Sequence, residues 1–141
     1  MSALTQTERD ILAGIADYLI PEAEGMPSAS QVNLASELAD RVFAVRHDLV
    51  GPVRGALGKV PGLAGEVAAK KLADIDPEGF HAITTVASAG YFMSPKTREA
   101  LGYPGQESRP FDPDKTTDYL EDGLLQPVID RGPIYKPTPG L

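Results

Sequence analysis

Tyr91-Phe92-Met93-Ser94-Pro95-Lys96-Thr97-Arg98-Glu99-Ala100-Leu101-Gly102-Tyr103-Pro104-Gly105-Gln106 marks the point where the chain changes character. Ser94 is suited to cap a helix with its hydroxyl, and Pro95 fits the first helical position, where no N–H is needed. Leu101 is the last apolar residue of the short helix this predicts, and Gly102 stands where a left-handed closing residue belongs. Tyr103-Pro104-Gly105 then directs the chain into an extended or turn conformation. Helical patterning precedes this stretch and a proline-rich arm follows it. The sequence therefore divides into a helical domain, residues 1–102, and a C-terminal arm, residues 103–141, that packs on that domain or on a partner.

The helical half reads as five segments before the capped one. Thr5 and Glu8 form a capping box, and Ile11, Leu12, Ile15, Ala16 and Leu19 make one stripe, so the spacing predicts a helix over 5–19 that ends before Pro21. A second helix is expected from the 30–34 region to about residue 47, burying Val32, Leu34, Leu38, Val42, Phe43 and Val45. Asp48 is positioned to cap a third over about 49–60, weakened by Gly51, Pro52, Gly55 and Gly58. A fourth is expected over about 63–73, with Val67, Ala68 and Leu72 inward and Lys70-Lys71 outward. Asp76-Pro77-Glu78 starts a fifth running to Met93: a cap, a proline at the first position, and an acid near the positive end of the helix dipole. Its second half, Val86-Ala87-Ser88-Ala89-Gly90, is built of small residues that permit close packing. Alternating β-branched runs are nearly absent. The predicted class is all-α, a domain of five to six helices with a long, mostly irregular arm.

Seven of the thirteen prolines lie in residues 103–141. One or two helical turns are expected over 118–125, and regular structure is not expected in the rest of the arm. Yet Tyr103, Phe111, Tyr119, Leu120, Leu124, Leu125, Val128, Ile129, Ile134 and Tyr135 give it an apolar content that solvated linkers lack. A proline-stiffened apolar segment loses less entropy on docking, so it suits wrapping a surface.

Composition narrows the function classes. The chain has 141 residues, is 42% hydrophobic and 23% charged, and contains no cysteine, which excludes disulfides and thiolate metal sites. A net charge of −7 argues against nucleic acid, whose phosphates require a concentrated basic patch. No window approaches the ~20 apolar residues of a membrane span. Residues 1–10 lack a basic region followed by an apolar run, so the chain is expected to be cytoplasmic, or periplasmic if exported with a partner.

Chemistry is sparse. His47 and His81 are too few for most imidazole metal sites, and each sits where a dipole or capping contact accounts for it. The carboxylate pairs Asp74/Asp76, Asp112/Asp114 and Glu121/Asp122 occupy helix boundaries and loops. Asp112-Pro113-Asp114 lacks the glycine and final glutamate of a calcium loop. Gly51, Gly55 and Gly58 do not form a dinucleotide fingerprint and follow no strand. No catalytic, cofactor-binding or metal-binding residue is assigned to the chain.

The opening stretch carries a resemblance. Tyr91-Phe92-Met93-Ser94-Pro95 with Arg98-Glu99-Ala100-Leu101-Gly102-Tyr103-Pro104-Gly105 resembles the motif of the gluconate 2-dehydrogenase subunit 3 family. Leu4-Thr5, Glu8-Arg9 and Ala16-Asp17-Tyr18-Leu19-Ile20-Pro21 look like that family's opening helix, in the same order. The resemblance implies a non-catalytic small subunit that stabilises or matures a large flavoprotein of the glucose-methanol-choline type. That partner holds FAD and oxidises sugars, glycosides or other alcohols; in some members a multihaem cytochrome c takes the electrons. Many members begin with a twin-arginine leader, which residues 1–10 do not show. The arm would then bind the large subunit through Tyr103, Pro104, Phe111, Tyr119, Ile134 and Tyr135, since aromatics dominate interface hot spots. The alternatives are a stand-alone helical isomerase or lyase using His81 and nearby carboxylates, and a self-associating helical adaptor.

Overall fold

The computed structural model describes residues 3–108 and 122–134, and among these the secondary structure is all-α. Contacts divide the chain into two compact units, Met1–Gly105 and Gln106–Leu141. The expectations at Phe111, Asp112, Asp114, Tyr119, Leu120, Glu121 and Tyr135 lie outside the described residues, as does the first half of the 118–125 segment.

In the first unit α1 spans Gln6–Leu19. Both halves of the capping box form: Glu8 N–H donates to Thr5 Oγ1 at 3.3 Å, and Thr5 N–H donates to Glu8 Oε2 at 2.7 Å. Ile11, Leu12, Ile15 and Ala16 are buried along one stripe, and Leu19 packs at its margin. α1 lies against α4, Gly65–Ile75, and the two approach closely at Gly14. A Cβ there would stand 3.0 Å from the Gly65 nitrogen and 3.1 Å from Ala64 Cβ. Gly65 itself has φ +56°, which suits glycine, and α4 starts here, two residues later than expected.

The segment after α1 corrects the expected second helix. It breaks into a 3₁₀ turn Ser30–Val32, a wide π turn Leu34–Leu38, and α2, Ala39–Val45. Asn33 causes the first break, taking the left-handed conformation (φ 55°) that asparagine tolerates better than most residues. Ser36 is non-helical at φ −103°, ψ −115°. Val32, Leu34, Leu38, Val42 and Phe43 are buried as anticipated, but Val45 is 80% exposed. It lies about 200° round the helix from Phe43, on the solvent side.

α3, Val50–Gly58, follows a 3₁₀ turn His47–Leu49. Asp48 does not cap it: its carboxylate is held by the Arg46 guanidinium at 2.9 and 2.7 Å. The glycines of α3 sit on its exposed side while Val53, Ala56 and Leu57 are buried, so the helix tolerates them. In α4 the buried positions are Ala68, Ala69 and Leu72; Val67 faces solvent, contrary to expectation, because it precedes that stripe by about 100° of helical turn. Lys70 and Lys71 are exposed, with Lys70 paired to Glu66 at 2.6 Å.

α5, Pro77–Met93, is the hub and packs on α1, α2, α3, α4 and α6. Asp76 caps it as the sequence indicates, accepting from Gly79 N–H at 3.1 Å. Ile83, Val86 and Ala87 are buried and Phe80 is half-buried. The tightest approach is at Gly79, where a Cβ would stand 2.7 Å from Ala56 Cβ on α3. At Gly90 the nearest atom, Leu38 Cβ, is 3.5 Å away, an ordinary contact distance. The small-residue second half is therefore packed as expected, with Val86, Ala87 and Gly90 buried, and the start of α5 is tighter still.

The second unit contains α7, Gln126–Arg131, in a stretch expected to be irregular. Pro127 is at the start of this helix, where its missing N–H has no acceptor to lose, so the residue begins the helix instead of breaking it. Gly132, at φ 67°, ends it.

Candidate functional site

The region from α5 to the end of the first unit contains the capped helix and its exit. α6 spans Pro95–Ala100. Ser94 Oγ accepts from Thr97 N–H at 3.4 Å, a long cap bond in a buried setting. The far end closes with paired backbone bonds: Gly102 N–H donates to Glu99 O and Tyr103 N–H to Arg98 O, both at 2.9 Å. Gly102 has φ 64°. This is the Schellman arrangement, which satisfies carbonyls that a helix end otherwise leaves open. It leaves Tyr103 54% and Leu101 52% exposed, and Pro104 also faces solvent. Phe92, on the solvent side of α5, is 58% exposed and meets the buried Tyr91 ring edge-to-face at 5.5 Å.

Tyr91 anchors this end to the rest of the unit. Its hydroxyl donates to the Pro27 carbonyl at 2.6 Å inside the core. The opening helix is tied down in a different way. Arg9 donates to both carboxylate oxygens of Asp40, at 2.7 and 2.8 Å, and to the carbonyls of Ala35 and Ser36, at 2.6 and 3.0 Å. The backbone is non-helical at Ser36, and the guanidinium bonds the carbonyls on either side of that break; the Ser36 carbonyl also accepts from the Ala39 N–H. Sequence reading gave Arg9 no role. The nearest signal was its place beside the capping-box Glu8.

Among the described residues, the histidines and paired acids are dispersed. His47 and His81 are both exposed. The His81 carbonyl accepts from the hydroxyls of Thr84 and Thr85, each at 2.8 Å, a contact internal to α5. Asp74 is exposed. Asp76 is engaged by Lys59 at 2.8 Å and by the Gly79 amide. The Lys59 bond, with the amide second, holds its carboxyl below the ordinary value of 3.8. Glu8 is likewise held low, first by the Thr5 amide and then by Arg54. Both acids are ionised structural groups, the opposite of a proton donor tuned upward. Among the described residues no group of three or more acids or histidines is placed to hold a metal ion. The depression beside Ser94, about 270 Å³, is lined by Val32, Asn33, Glu37, Leu38, Arg41, Ser94 and Pro95. It offers no activated nucleophile, because the Ser94 oxygen is engaged as a cap and no imidazole adjoins it.

Of the residues read as partner-binding, Tyr103, Pro104 and Ile134 are exposed, Ile134 at 72%. Phe111, Tyr119 and Tyr135 are outside the described residues. No described helix is long and apolar enough to cross a membrane. Comparison with protein-family models, with curated proteins and with solved structures found no match.

Proposed function

We propose that this chain is the non-catalytic small subunit of a heteromeric FAD-dependent oxidoreductase acting on sugars, glycosides or other alcohols. It stabilises or matures the large flavoprotein subunit, which holds the FAD; a cytochrome c subunit is a further candidate member of the complex. The reading starts from the resemblance of 91–105 and of the opening helix to the gluconate 2-dehydrogenase subunit 3 family. The observation that carries it is the closure of α6. A short helix capped at both ends, fixed by the buried Tyr91, holds Leu101, Tyr103 and Pro104 outward in solvent. Such backbone definition is unnecessary for a loop and useful for presenting an aromatic anchor, because a preorganised contact loses less entropy on binding.

Co-expression with a flavoprotein of the glucose-methanol-choline type from the same genome tests the proposal. The expected result is one complex in which flavin absorbance co-elutes with both chains, and a flavoprotein that loses FAD or solubility when expressed alone. Two chains that elute separately, with the flavoprotein fully active and FAD-loaded by itself, would end it.

A further inference from the structure

We infer that α7 is a docking helix that seats the face formed by Val128, Ile129 and the preceding Leu124 in an apolar groove with a basic rim on the large subunit. This rests on the function proposed above and names the contact through which it would act. Leu124, Leu125, Val128 and Ile129 fall at i, i+1, i+4 and i+5, one stripe of a helix. Gln126 and Asp130 occupy another side and bond to each other at 2.6 Å. None of the helix's residues is buried: Val128 is 53%, Ile129 62% and the preceding Leu124 70% exposed. Six residues are too few to hold a helix in water by backbone bonds alone, since lone helices below ~12–15 residues are marginal. Pro127 in the first turn and the Gln126–Asp130 bond support it locally, and covering the exposed apolar stripe adds the burial it lacks.

Charge selects the cover. A membrane-surface helix carries lysines and arginines on its polar side, whereas α7 and its flanks hold Asp122 and Asp130 against Arg131. A second copy of the chain is disfavoured by the net charge of −7, to which residues 106–141 contribute seven acids against four bases. A protein groove with an apolar floor and basic margins complements both features, and an amphipathic helix in such a groove is a recurring recognition mode.

The test uses the full chain with Val128→Asp and Ile129→Asp together, co-expressed with the same flavoprotein. Both positions are exposed, so the helical domain folds as before and its circular dichroism is unchanged. Complex formation is expected to weaken at least about a hundredfold, and Asp130→Lys should weaken it less and flatten its salt dependence. If the wild-type complex forms and the double variant binds equally well, the docking helix is wrong and the subunit function stands. If wild type forms no complex, both readings fall. Two results on the isolated chain also overturn the inference: a concentration-dependent dimer abolished by the double substitution, or strong hydrogen-exchange protection of 128–131, which would mean the face is already covered within the chain.

Discussion

The hydroxyl of Tyr91 donates to the carbonyl of Pro27 across 64 residues of sequence, at 2.6 Å and out of contact with water. The bond joins the end of the hub helix to the loop that follows the first helix. It also satisfies the buried Pro27 carbonyl.

Tyr91→Phe keeps the ring and its edge-to-face contact with Phe92 but strands that carbonyl. The variant should lose about 1–2 kcal/mol, the cost of leaving a buried acceptor unsatisfied. Urea unfolding measures it as a lower midpoint at constant slope. A midpoint equal to wild type would show that water replaces the phenol.

Arg9→Lys is not conservative here. The guanidinium donates to both Asp40 oxygens and to two carbonyls through two separate nitrogens, and a single ammonium cannot match these contacts together. A loss of about 2 kcal/mol is expected, with Asp40→Asn costing less because the carbonyl contacts survive. Hydrogen exchange should show the amides of 34–40 opening before those of α5 in the lysine variant.

The two buried glycines of α5 should respond in opposite directions. Gly79→Ala places a methyl 2.7 Å from Ala56 Cβ and against the Asp76 side chain, and should destabilise by about 1–3 kcal/mol. Gly90→Ala meets only ordinary contact distances and should gain up to about 1 kcal/mol in helix propensity. Thermal melts of both variants, with Ala56→Gly added to the first for partial recovery, decide the matter.

Thr97 Oγ1 is buried and has no hydrogen-bond partner among the described residues. Thr97→Val removes an unsatisfied hydroxyl at nearly constant volume and should stabilise the chain by roughly 1 kcal/mol. Calorimetry giving a lower Tm than wild type would reveal an acceptor or bridging water for that hydroxyl.

The pH dependence follows from Asp76. Its carboxyl is depressed in the folded chain, so its contribution is fully present above the unfolded value of 3.8 and is lost as pH falls through the folded value below that. Asp76→Asn removes the charge while keeping an oxygen to accept from Gly79. The difference in Tm between wild type and variant should be constant above roughly pH 5 and shrink steadily below 3.8. A gap that stays constant down to about pH 2 would mean Lys59 does not hold the acid in solution.

Where the chain carries its own punctuation, the sequence determined the structure. Thr5 with Glu8, Asp76 with Pro77, Ser94 with Pro95, and Gly102 each specify a helix end through bonds within a few residues, and each forms as read. The all-α class follows from helical periodicity in the same local way. The tertiary structure decided what depends on distant atoms. The second helix breaks at Asn33 and Ser36, and the carbonyls of Ala35 and Ser36 bond to Arg9, a residue 26 positions away from Ala35. Asp48 gives its carboxylate to Arg46 and leaves α3 uncapped. Val45 and Val67 face solvent because the starting points of α2 and α4, not composition, set the phase of each stripe. The candidate surface divides along the same line. Tyr103 and Pro104 were legible because Gly102 fixes their exit locally. The stripe on α7 was not, because a proline that ends most helices begins this one. Short-range hydrogen bonds are encoded within a turn of the residues that make them; breaks, burial and phase depend on partners that only folding brings near.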